Sequence, residues 1–290
     1  MSIVLKNVGY TYGQGSSDEK QALKNVNLEI RENEFLAIVG HTGSGKSTLI
    51  QLLNGLEKPT EGQILFHGQD IAEKGFSLKL LRSKVGLVFQ YPEHQLFEAT
   101  VQKDVEFGPR NMGWEQLKVQ MNAFQALKDV GISDDLYDVS PLALSGGQKR
   151  RVAIAGVLAM EPEILVLDEP MAGLDPTGRT EIFELLCKLH RERQITIVLV
   201  SHSMDDVGKY AQRVVVMNRG EVVLDGTPRK VFQYEKELEQ IGLGIPQATR
   251  LMHHLKAQGA DVRTDCLTIQ ESIKAITEWL GKEKKVSYDS

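Results

Sequence analysis

Cysteine is scarce in this chain: only two occur among its 290 residues, Cys187 and Cys266. They lie far apart and lack the spacing of paired metal ligands, so a disulfide framework and a zinc site are excluded and a reducing compartment is expected. Long apolar runs are also missing. The longest, such as residues 195–200, have the length of a strand, whereas a membrane-spanning helix needs about 18 consecutive apolar residues. Residues 1–7 lack the features of a secretory signal, so we expect a cytosolic chain that does not itself cross a bilayer.

An excess of positive charge is absent as well. The formal net charge is -5 and the isoelectric point is near 5.9, which argues against nucleic acid as the main partner. The chain has 41% hydrophobic and 25% charged side chains, an ordinary globular composition that excludes disorder. Its length fits one large domain or two unequal ones.

The hydrophobic pattern alternates between strands and helices, which is typical of an α/β fold. Strands predicted at 3–12 and 22–30 flank a polar, glycine-containing loop and should form a hairpin. A third strand at 35–39 leads through a glycine-rich turn into a helix. The helices are predicted at 46–53, around 78–81, and at 149–160, 181–190 and 204–211, and the further strands at 64–66, 85–89, 164–167, 196–200, 214–217 and 221–224.

Residues 91–143 interrupt this alternation. They have little strand signal, and residues 114–130 carry apolar side chains at helical spacing. We therefore predict a helical insertion within the α/β domain. The apolar residues that indicate it are Leu117, Met121, Phe124 and Leu127.

The pattern weakens after residue 230. Helical patterns at 246–258 and 271–284 flank a segment at 261–269 that we predict to be a strand. Residues 231–290 are therefore predicted to form a small accessory domain, separate from a main domain at 1–230.

The strongest motif follows the strand at 35–39, where the sequence matches G-x-x-x-x-G-K-[ST]. Glycines let the backbone bend so that successive N–H groups point inward, and the helix that starts there adds its positive dipole end. Lys46 supplies a charge for the β and γ phosphates of a nucleotide, and Ser47 offers a hydroxyl to Mg²⁺. A plain glycine turn is the alternative, but the flanking strand and helix favour phosphate binding. The residues of this phosphate loop are Gly40, His41, Thr42, Gly43, Ser44, Gly45, Lys46, Ser47 and Thr48.

Two carboxylates, Asp168 and Glu169, follow the apolar run at 164–167, which predicts a buried strand. Asp168 is expected to hold Mg²⁺, and Glu169 to polarise the attacking water in a hydrolytic phosphoryl transfer. The alternative is that both acids cap the next helix. Because a phosphate loop precedes them in the same chain, the chemical role is favoured.

A third motif, Leu-Ser-Gly-Gly-Gln at 144–148, lies where a loop enters the helix predicted at 149–160. A serine and glycine amides at a helix start can form a second anion site. An ordinary helix cap is the alternative when this motif is considered alone. The residues concerned are Ser145, Gly146, Gly147 and Gln148.

Together, the motifs GHTGSGKST, LSGGQ and ILVLDEP resemble the ATPase subunits of ABC transporters over roughly residues 1–230. The resemblance implies a P-loop ABC-type nucleotide-binding domain of α/β class: a RecA-like core, an antiparallel β subdomain and the helical insertion. It implies that the chain binds ATP and Mg²⁺ and hydrolyses ATP. Two such domains are expected to pack head to tail, with the LSGGQ of one closing over the ATP held by the other.

The same resemblance assigns roles to four further residues. Tyr12 lies where an aromatic stacks on adenine, and Gln90 where a glutamine touches Mg²⁺ and the water. Asp175 lies in a loop that crosses between subunits, and His202 where a histidine reaches the γ-phosphate. Each has a structural alternative: a hairpin aromatic, a polar strand end, a helix cap before a proline, and a satisfied histidine after a strand.

The stretch FQYPEHQLF, followed by VQKDVEFGP, is similar to the energy-coupling factor group of ABC ATPases. The resemblance implies a shared importer of vitamins or other micronutrients, with a second, non-identical ATPase, a transmembrane coupling protein and substrate-binding membrane proteins. The chain would then lie at the cytoplasmic side of the cell membrane as a peripheral protein. Gln95 and Phe97 would border the groove for the coupling protein, although ordinary packing is the alternative, and the C-terminal extension would help to hold the two ATPases together.

Three other functions stay open. The first is the ATPase of a dedicated cobalt or nickel importer that works as a homodimer. The second is a soluble ABC ATPase of nucleic-acid or ribosome function, which usually carries a long coiled-coil insertion or two cassettes, neither of which is present in this sequence. The third, a P-loop kinase or GTPase, leaves LSGGQ without a role.

Overall fold

The computed structural model describes residues 2–286, with side chains as far as Gly281 in the last helix. Residue 1 and residues 287–290, which belong to the predicted ranges 1–230 and 231–290, lie outside this description. The described strands are β1 (Ile3–Tyr12), β2 (Lys20–Ile30), β3 (Phe35–Val39), β4 (Glu61–Phe66), β5 (Gln69–Asp70), β6 (Val85–Val88), β7 (Ile164–Asp168), β8 (Thr196–Val200), β9 (Arg213–Asn218) and β10 (Glu221–Gly226). The described helices are α1 (Lys46–Leu53), α2 (Leu78–Lys84), α3 (Val101–Asn111), α4 (Gln116–Asp129), α5 (Gly146–Leu158), α6 (Pro176–Arg193), α7 (Met204–Tyr210), α8 (Pro228–Val231), α9 (Glu235–Gln240), α10 (Gln247–Ala257) and α11 (Ile269–Val286).

The strands form two sheets. The first is antiparallel, with the order β2-β1-β4-β5, and it contains the predicted hairpin, in which Tyr12 pairs with Lys20. The second has the order β10-β9-β3-β8-β7-β6; β9 and β10 are antiparallel and the other neighbours are parallel. The carboxyl ends of β3, β8, β7 and β6 therefore meet at one edge of the second sheet, which is where open α/β sheets bind ligands.

The parallel strands of the second sheet are buried on both faces, as their continuous apolar sequences predict, whereas the antiparallel β10 alternates between exposed and half-buried residues. Alternate residues of β7 point in opposite directions. Ile164 and Val166 pack in the cluster shared with the antiparallel sheet, whereas Leu165 and Leu167 pack in the cluster shared with α4, α5 and α6. These two clusters hold β7 in place between the antiparallel sheet on one side and α4, α5 and α6 on the other.

Helix starts are set by capping residues, and this explains two boundaries that differ from the prediction. α5 starts at Gly146 rather than at 149, because Ser145 is its N-cap. α6 starts at Pro176 rather than at 181, because the Asp175 carboxylate accepts a hydrogen bond from the Gly178 amide and proline is favoured at the first helical position.

The predicted helical insertion is confirmed, with α3 and α4 lying in residues 91–143 and no strand in that described segment. The face that α4 buries is narrower than its apolar pattern indicated. Leu127 is buried with Val119, but Leu117, Met121 and Phe124 are exposed at 68%, 62% and 47%. The buried face of α4 consists of Val119, Ala123, Ala126 and Leu127.

The strand predicted at 261–269 is wrong. This segment is irregular, and α11 begins at Ile269. Its carbonyl oxygens are bound by side chains instead of by a neighbouring strand: the Arg229 guanidinium donates to Asp265 O at 2.7 Å, and the Thr249 hydroxyl donates to Cys266 O at 2.6 Å. An apolar extended segment without a strand partner cannot form a ladder.

The C-terminal helices pack in two clusters. Phe232, Leu238 and Ile245 share a core with Ala37 and Val39 of the second sheet. A separate small cluster contains Met252, Ala260, Val262, Cys266 and Ala275. The segment directly after α8 is thus anchored on the sheet itself, and only the part from α10 onward has a core of its own.

Both cysteines are free; Cys266 is buried and Cys187 partly buried, as expected for unpaired thiols. Within residues 2–286, no helix has the length and apolar character needed to cross a membrane.

Candidate nucleotide-binding and hydrolysis site

The phosphate loop connects β3 to α1 at the ligand-binding edge of the second sheet. Gly45, the N-cap of α1, has φ of +103°, a conformation that favours glycine. A Cβ on Gly40 would lie 2.4 Å from Ser44 Oγ and 2.5 Å from Met217 O, so a side chain cannot be accommodated there. The loop therefore keeps the tight backbone path that a phosphate-binding loop requires.

The Lys46 ammonium folds over this loop. Its Nζ donates to Gly40 O at 2.7 Å and to His41 O at 3.0 Å. Burial lowers the pKa of Lys46, against the opposing effect of the Glu169 and Asp168 carboxylates. An ammonium bound only to neutral carbonyls in a partly buried site is placed to exchange them for phosphate oxygens.

The other residues of the predicted loop take distinct places. Both ring nitrogens of His41 are engaged, Nδ1 at 2.8 Å from Thr42 O and Nε2 at 3.0 Å from Asn218 Oδ1. Ser44 and Thr48 are buried, whereas Thr42, Gly43 and Ser47 are exposed. The loop thus presents its tip and Ser47 outward while its base is fixed in the core.

Asp168 is the last residue of β7, and the Ser47 hydroxyl donates to its Oδ2 at 3.3 Å. Burial, followed by the neighbouring Glu169 carboxylate, raises the pKa of Asp168. A hydroxyl and a carboxylate this close supply the hard oxygen ligands that Mg²⁺ prefers. The two residues fit the predicted magnesium site. Gln90 follows β6 at the same edge and is exposed.

Glu169 follows Asp168 in a left-handed conformation with φ of +48°, which is uncommon outside glycine and is often found at functional sites. Its amide donates to Val200 O at 3.1 Å, which ties it to the end of β8. The His202 imidazole Nδ1 lies 2.6 Å from Glu169 Oε2. Asp168 and Glu169 do not cap the next helix, because the N-cap of α6 is Asp175.

Tyr12 stands beside the phosphate loop. Its hydroxyl lies 2.9 Å from Thr48 Oγ1, and its ring makes an edge contact with Tyr10 at 4.8 Å between centroids. Tyr10 is held in turn by Glu57, and burial and this hydrogen bond raise the pKa of Tyr10 to about 12. Tyr12 is 39% exposed, so part of its side chain is accessible to a ligand.

A cavity of about 370 Å³ lies between Tyr12 and the phosphate loop. Three basic residues that the sequence analysis did not identify, Lys20, Lys24 and Arg219, also line it. Lys20 and Lys24 lie on β2, and Arg219 is in the turn between β9 and β10. Their shared positive charge suits a phosphate site, but their sequence spacing does not place these three residues together.

The LSGGQ segment makes a capping box at the start of α5. The Ser145 hydroxyl accepts a hydrogen bond from the Gln148 amide at 3.3 Å, and Gln148 Oε1 accepts one from the Ser145 amide at 2.9 Å. Gly146 is exposed beside them. Among the described residues, the hydrogen bonds of Ser145 and Asp175 stay local to α5 and α6, and none connects them to the phosphate loop of the same chain.

A groove of about 350 Å³ lies beside the turn at Pro92–Gln95. Gln95 and Phe97 line it. Phe97 is 65% exposed and makes an edge contact with Phe107 at 4.8 Å. The buried Asp104 carboxylate fixes this part of the groove by accepting the Phe97 amide at 3.2 Å, and burial raises the pKa of Asp104.

The sequence model of the ABC transporter family matches residues 23–172. The chain is 51% identical over 286 residues to the energy-coupling factor transporter ATP-binding protein EcfA2 of Caldanaerobacter subterraneus subsp. tengcongensis, covering 99% of this chain and 100% of that protein. It is also 51% identical to the protein of the same name from Clostridium perfringens, over 96% of this chain and 98% of that one. The chain belongs to the energy-coupling factor ATP-binding proteins of the ABC transporter family.

Solved structures agree with this assignment. cbiO1 from Clostridium perfringens, described as part of the ABC transporter complex cbiONQ, matches with a TM-score of 0.73 and 42% identity, over 88% of this chain and 98% of that one. The ATP-binding cassette MJ0796, solved as a dimer bound to ADP and Pi, matches with a TM-score of 0.68 and 35% identity, over 78% of this chain and 98% of that one. The predicted P-loop ABC fold is confirmed. As an energy-coupling factor protein, the chain is an ATP-hydrolysing subunit of an ABC importer.

Proposed function

We propose that ATP is hydrolysed at the edge where β3, β7 and β8 end. The observation that supports this most strongly is the contact of Glu169 with His202, next to Asp168, Ser47 and Lys46. Lys46 and the loop amides bind the β and γ phosphates, Tyr12 stacks on adenine, and Glu169 orients and polarises the attacking water. His202 holds the Glu169 carboxylate and reaches the γ-phosphate.

Ser47, Asp168 and Gln90 are the residues that would hold Mg²⁺, which supplies charge neutralisation of the phosphate chain when it is bound. The supporting observation is the 3.3 Å contact between the Ser47 hydroxyl and the Asp168 carboxylate. The burial that raises the pKa of Asp168 also provides a low-dielectric setting in which a divalent cation would favour its ionised form.

We infer that a second ATPase completes each site. Ser145, Gly146 and Asp175 are exposed and make only local contacts, so they are free to face another subunit. MJ0796, a structural relative, is dimeric with ADP and Pi bound. The partner is proposed to be non-identical, with the domain at 1–230 forming the ATPase interface and the accessory domain at 231–290 helping to hold the pair. The exposed apolar residues of the accessory region, Leu251, Ile269, Ile273 and Leu280, support that role.

The groove beside Gln95 and Phe97 is proposed to receive a transmembrane coupling protein, which would place the chain at the cytoplasmic side of the cell membrane as a peripheral protein. The groove's apolar lining and the exposed Phe97 ring support this role. Separate substrate-binding membrane proteins would select vitamins or other micronutrients. A dedicated metal-ion importer with a homodimer is the second candidate, because cbiO1, 42% identical, is described as part of cbiONQ.

Affinity purification of the tagged protein from gently solubilised membranes, followed by mass spectrometry, tests these partners. We expect a second, different ATPase, one coupling protein and several small membrane proteins. A self-paired ATPase with a single substrate protein would instead establish the dedicated importer. Nucleic acid or ribosomes without membrane proteins would contradict transport altogether.

A matched pair of variants tests the groove in the same experiment. Phe97→Lys should lose the coupling protein but keep the second ATPase. Phe124→Lys, which changes an exposed phenylalanine of α4 that does not line the groove, should retain every partner. Equal retention by the two variants would contradict the docking of the coupling protein in this groove.

A further inference from the structure

Arg150 carries a buried charge that none of the roles above uses. Its side chain is only 2% exposed and is the largest of the fully buried side chains in the described part of the chain. It lies in α5, two residues after Gln148. Burying an ion costs several kcal/mol unless charged and polar partners surround it. The partners of the Arg150 guanidinium therefore indicate its role.

The guanidinium contacts two different segments. One side forms a fork with the Glu93 carboxylate, with Nη2 at 2.8 Å from Oε1 and Nε at 3.2 Å from Oε2. The other side donates through Nη1 to Pro170 O at 2.8 Å and to Ala172 O at 2.9 Å. Only the planar fork of an arginine can make both sets of bonds at once.

These segments belong to the hydrolysis site. Pro170 directly follows Glu169, and the Ala172 amide donates to Glu169 O at 3.0 Å, so the two bound carbonyls belong to the turn that sets the backbone of Glu169. Glu93 lies in the Pro92–Gln95 turn, three residues after Gln90, beside the groove. Arg150 thus connects three segments: α5, which begins within the LSGGQ segment, the Pro92–Gln95 turn beside the groove, and the turn that follows Glu169.

We propose that Arg150 is a positioning residue for ATP hydrolysis: it holds the Glu169 turn in register with the Glu93 turn and the start of α5. It touches neither the nucleotide nor the reacting atoms. The proposal rests on the role of Glu169 given above. Its expected signature is a loss of kcat without a loss of ATP binding, because the hydrogen bonds of Arg150 within the described residues go to Glu93, Pro170 and Ala172 and not to the phosphate loop.

The test measures kcat and KM for ATP, and Tm, in the assembled transporter carrying each variant. Arg150→Met should lower kcat by about 10- to 100-fold, the effect of a small misplacement of a catalytic group, with KM within about twofold of wild type. It should also lower Tm, because the Glu93 carboxylate loses its partner. Arg150→Lys should keep more of the Tm and recover only part of kcat.

The double variant Arg150→Met/Glu93→Met separates positioning from charge balance. It removes both charges, so Tm should recover relative to Arg150→Met. Its kcat should stay low, because Pro170 O and Ala172 O still lack their donor. Recovery of kcat to within about twofold of wild type would overturn the proposal, as would a rise in KM at unchanged kcat in Arg150→Lys. If Arg150→Met does not fold, the double and lysine variants decide the outcome alone.

Arg193→Met is the matched control. Arg193 pairs with Asp129 between α6 and α4, away from the site, so this variant removes an ion pair between elements and should leave kcat unchanged. The role of Glu169 is checked separately by Glu169→Gln. Full activity of that variant together with a low kcat in Arg150→Met would contradict the assignment of Glu169 and leave the effect of Arg150 on turnover standing.

Discussion

His202 Nδ1 and Glu169 Oε2 lie 2.6 Å apart, joining the ends of β8 and β7 through two side chains. The bond is short for an N–H···O contact and involves a carboxylate, which makes it one of the stronger kinds. His202 is otherwise exposed, with 75% of its side chain accessible. Its main partner is therefore the residue proposed as the base, and not the protein core.

Replacing His202 with alanine should lower kcat for ATP hydrolysis by about 10- to 100-fold, because the Glu169 carboxylate loses the group that orients it. ATP affinity should fall less than kcat does, because the nucleotide loses only one contact with the γ-phosphate and keeps those of the phosphate loop. Steady-state hydrolysis and nucleotide binding measure the two effects. His254→Ala, a change of an exposed histidine on α10, is the control and should leave both kcat and ATP affinity unchanged. Wild-type turnover in His202→Ala would contradict the role of the pair.

Tyr12 offers a separate test of the adenine position. Tyr12→Ala removes the ring and should weaken ATP binding by about 5- to 150-fold, since stacking of a base on an aromatic side chain contributes about 1–3 kcal/mol. Tyr12→Phe removes only the hydroxyl that contacts Thr48 and should bind nearly as well as wild type. Tyr234→Ala, at an exposed tyrosine outside the site, serves as control. Equal affinity of the alanine and phenylalanine variants would rule out stacking.

Gly147 tests whether LSGGQ serves the fold or a partner subunit. A Cβ on Gly147 would meet no heavy atom of the described chain within 4 Å, and alanine is favoured over glycine in helices by about 1 kcal/mol. Gly147→Ala should therefore keep or raise Tm, yet lower ATP turnover by at least about tenfold, because the methyl group would intrude on the facing nucleotide. Gly281→Ala in α11, equally free of neighbours, is the matched control. Unchanged turnover in Gly147→Ala would refute the composite site.

Much of the fold and of the site can be predicted from the sequence, because each motif lies at the boundary of a strand or a helix. The phosphate loop lies between an apolar strand and a helix, and Asp168 ends a run of buried residues, so strand order alone brings them to one edge. The predicted bounds of β3, α1 and β7 agree with the observed bounds to within one residue. The predicted antiparallel hairpin of β1 and β2 is also confirmed.

The failures have physical causes that no local pattern contains. Residues 261–269 have the apolar content of a strand, but Arg229 and Thr249 bind their carbonyls from neighbouring helices. Phe124 lies at helical spacing yet is 47% exposed, because the buried face of α4 is formed by Val119, Ala123, Ala126 and Leu127. The burial of Arg150 depends on its hydrogen bonds to Glu93, 57 residues away, so no local sequence pattern indicates it.

Glu271 connects α11 to α8 and makes the C-terminal region sensitive to acid. Its hydrogen bond to Arg229 lowers the pKa of Glu271 below its ordinary value of 4.5. A carboxylate with a lowered pKa stabilises the fold above its unfolded pKa, and that contribution disappears as the pH falls through the folded pKa.

The variant Glu271→Gln should therefore lose stability at pH 7, by less than about 1 kcal/mol because the pair is partly solvated. The difference from wild type should shrink as the pH falls below about 4. Thermal melts at pH 7 and pH 3 measure this. Glu237→Gln, at an exposed glutamate of α9, should show no difference at either pH. If the stability difference between Glu271→Gln and wild type instead grows as the pH falls, the contact with Arg229 is not the cause of that difference.

Glu169 is proposed to activate the attacking water in a site whose other residues bind ATP. The most direct test of this role compares ATP affinity and ATP turnover of the assembled transporter carrying Glu169→Gln with those of Glu192→Gln, a change at an exposed glutamate of α6. Glu169→Gln should bind ATP as wild type does but turn it over about 10²- to 10⁴-fold more slowly, while Glu192→Gln should be unchanged in both. Normal turnover in Glu169→Gln would contradict the account.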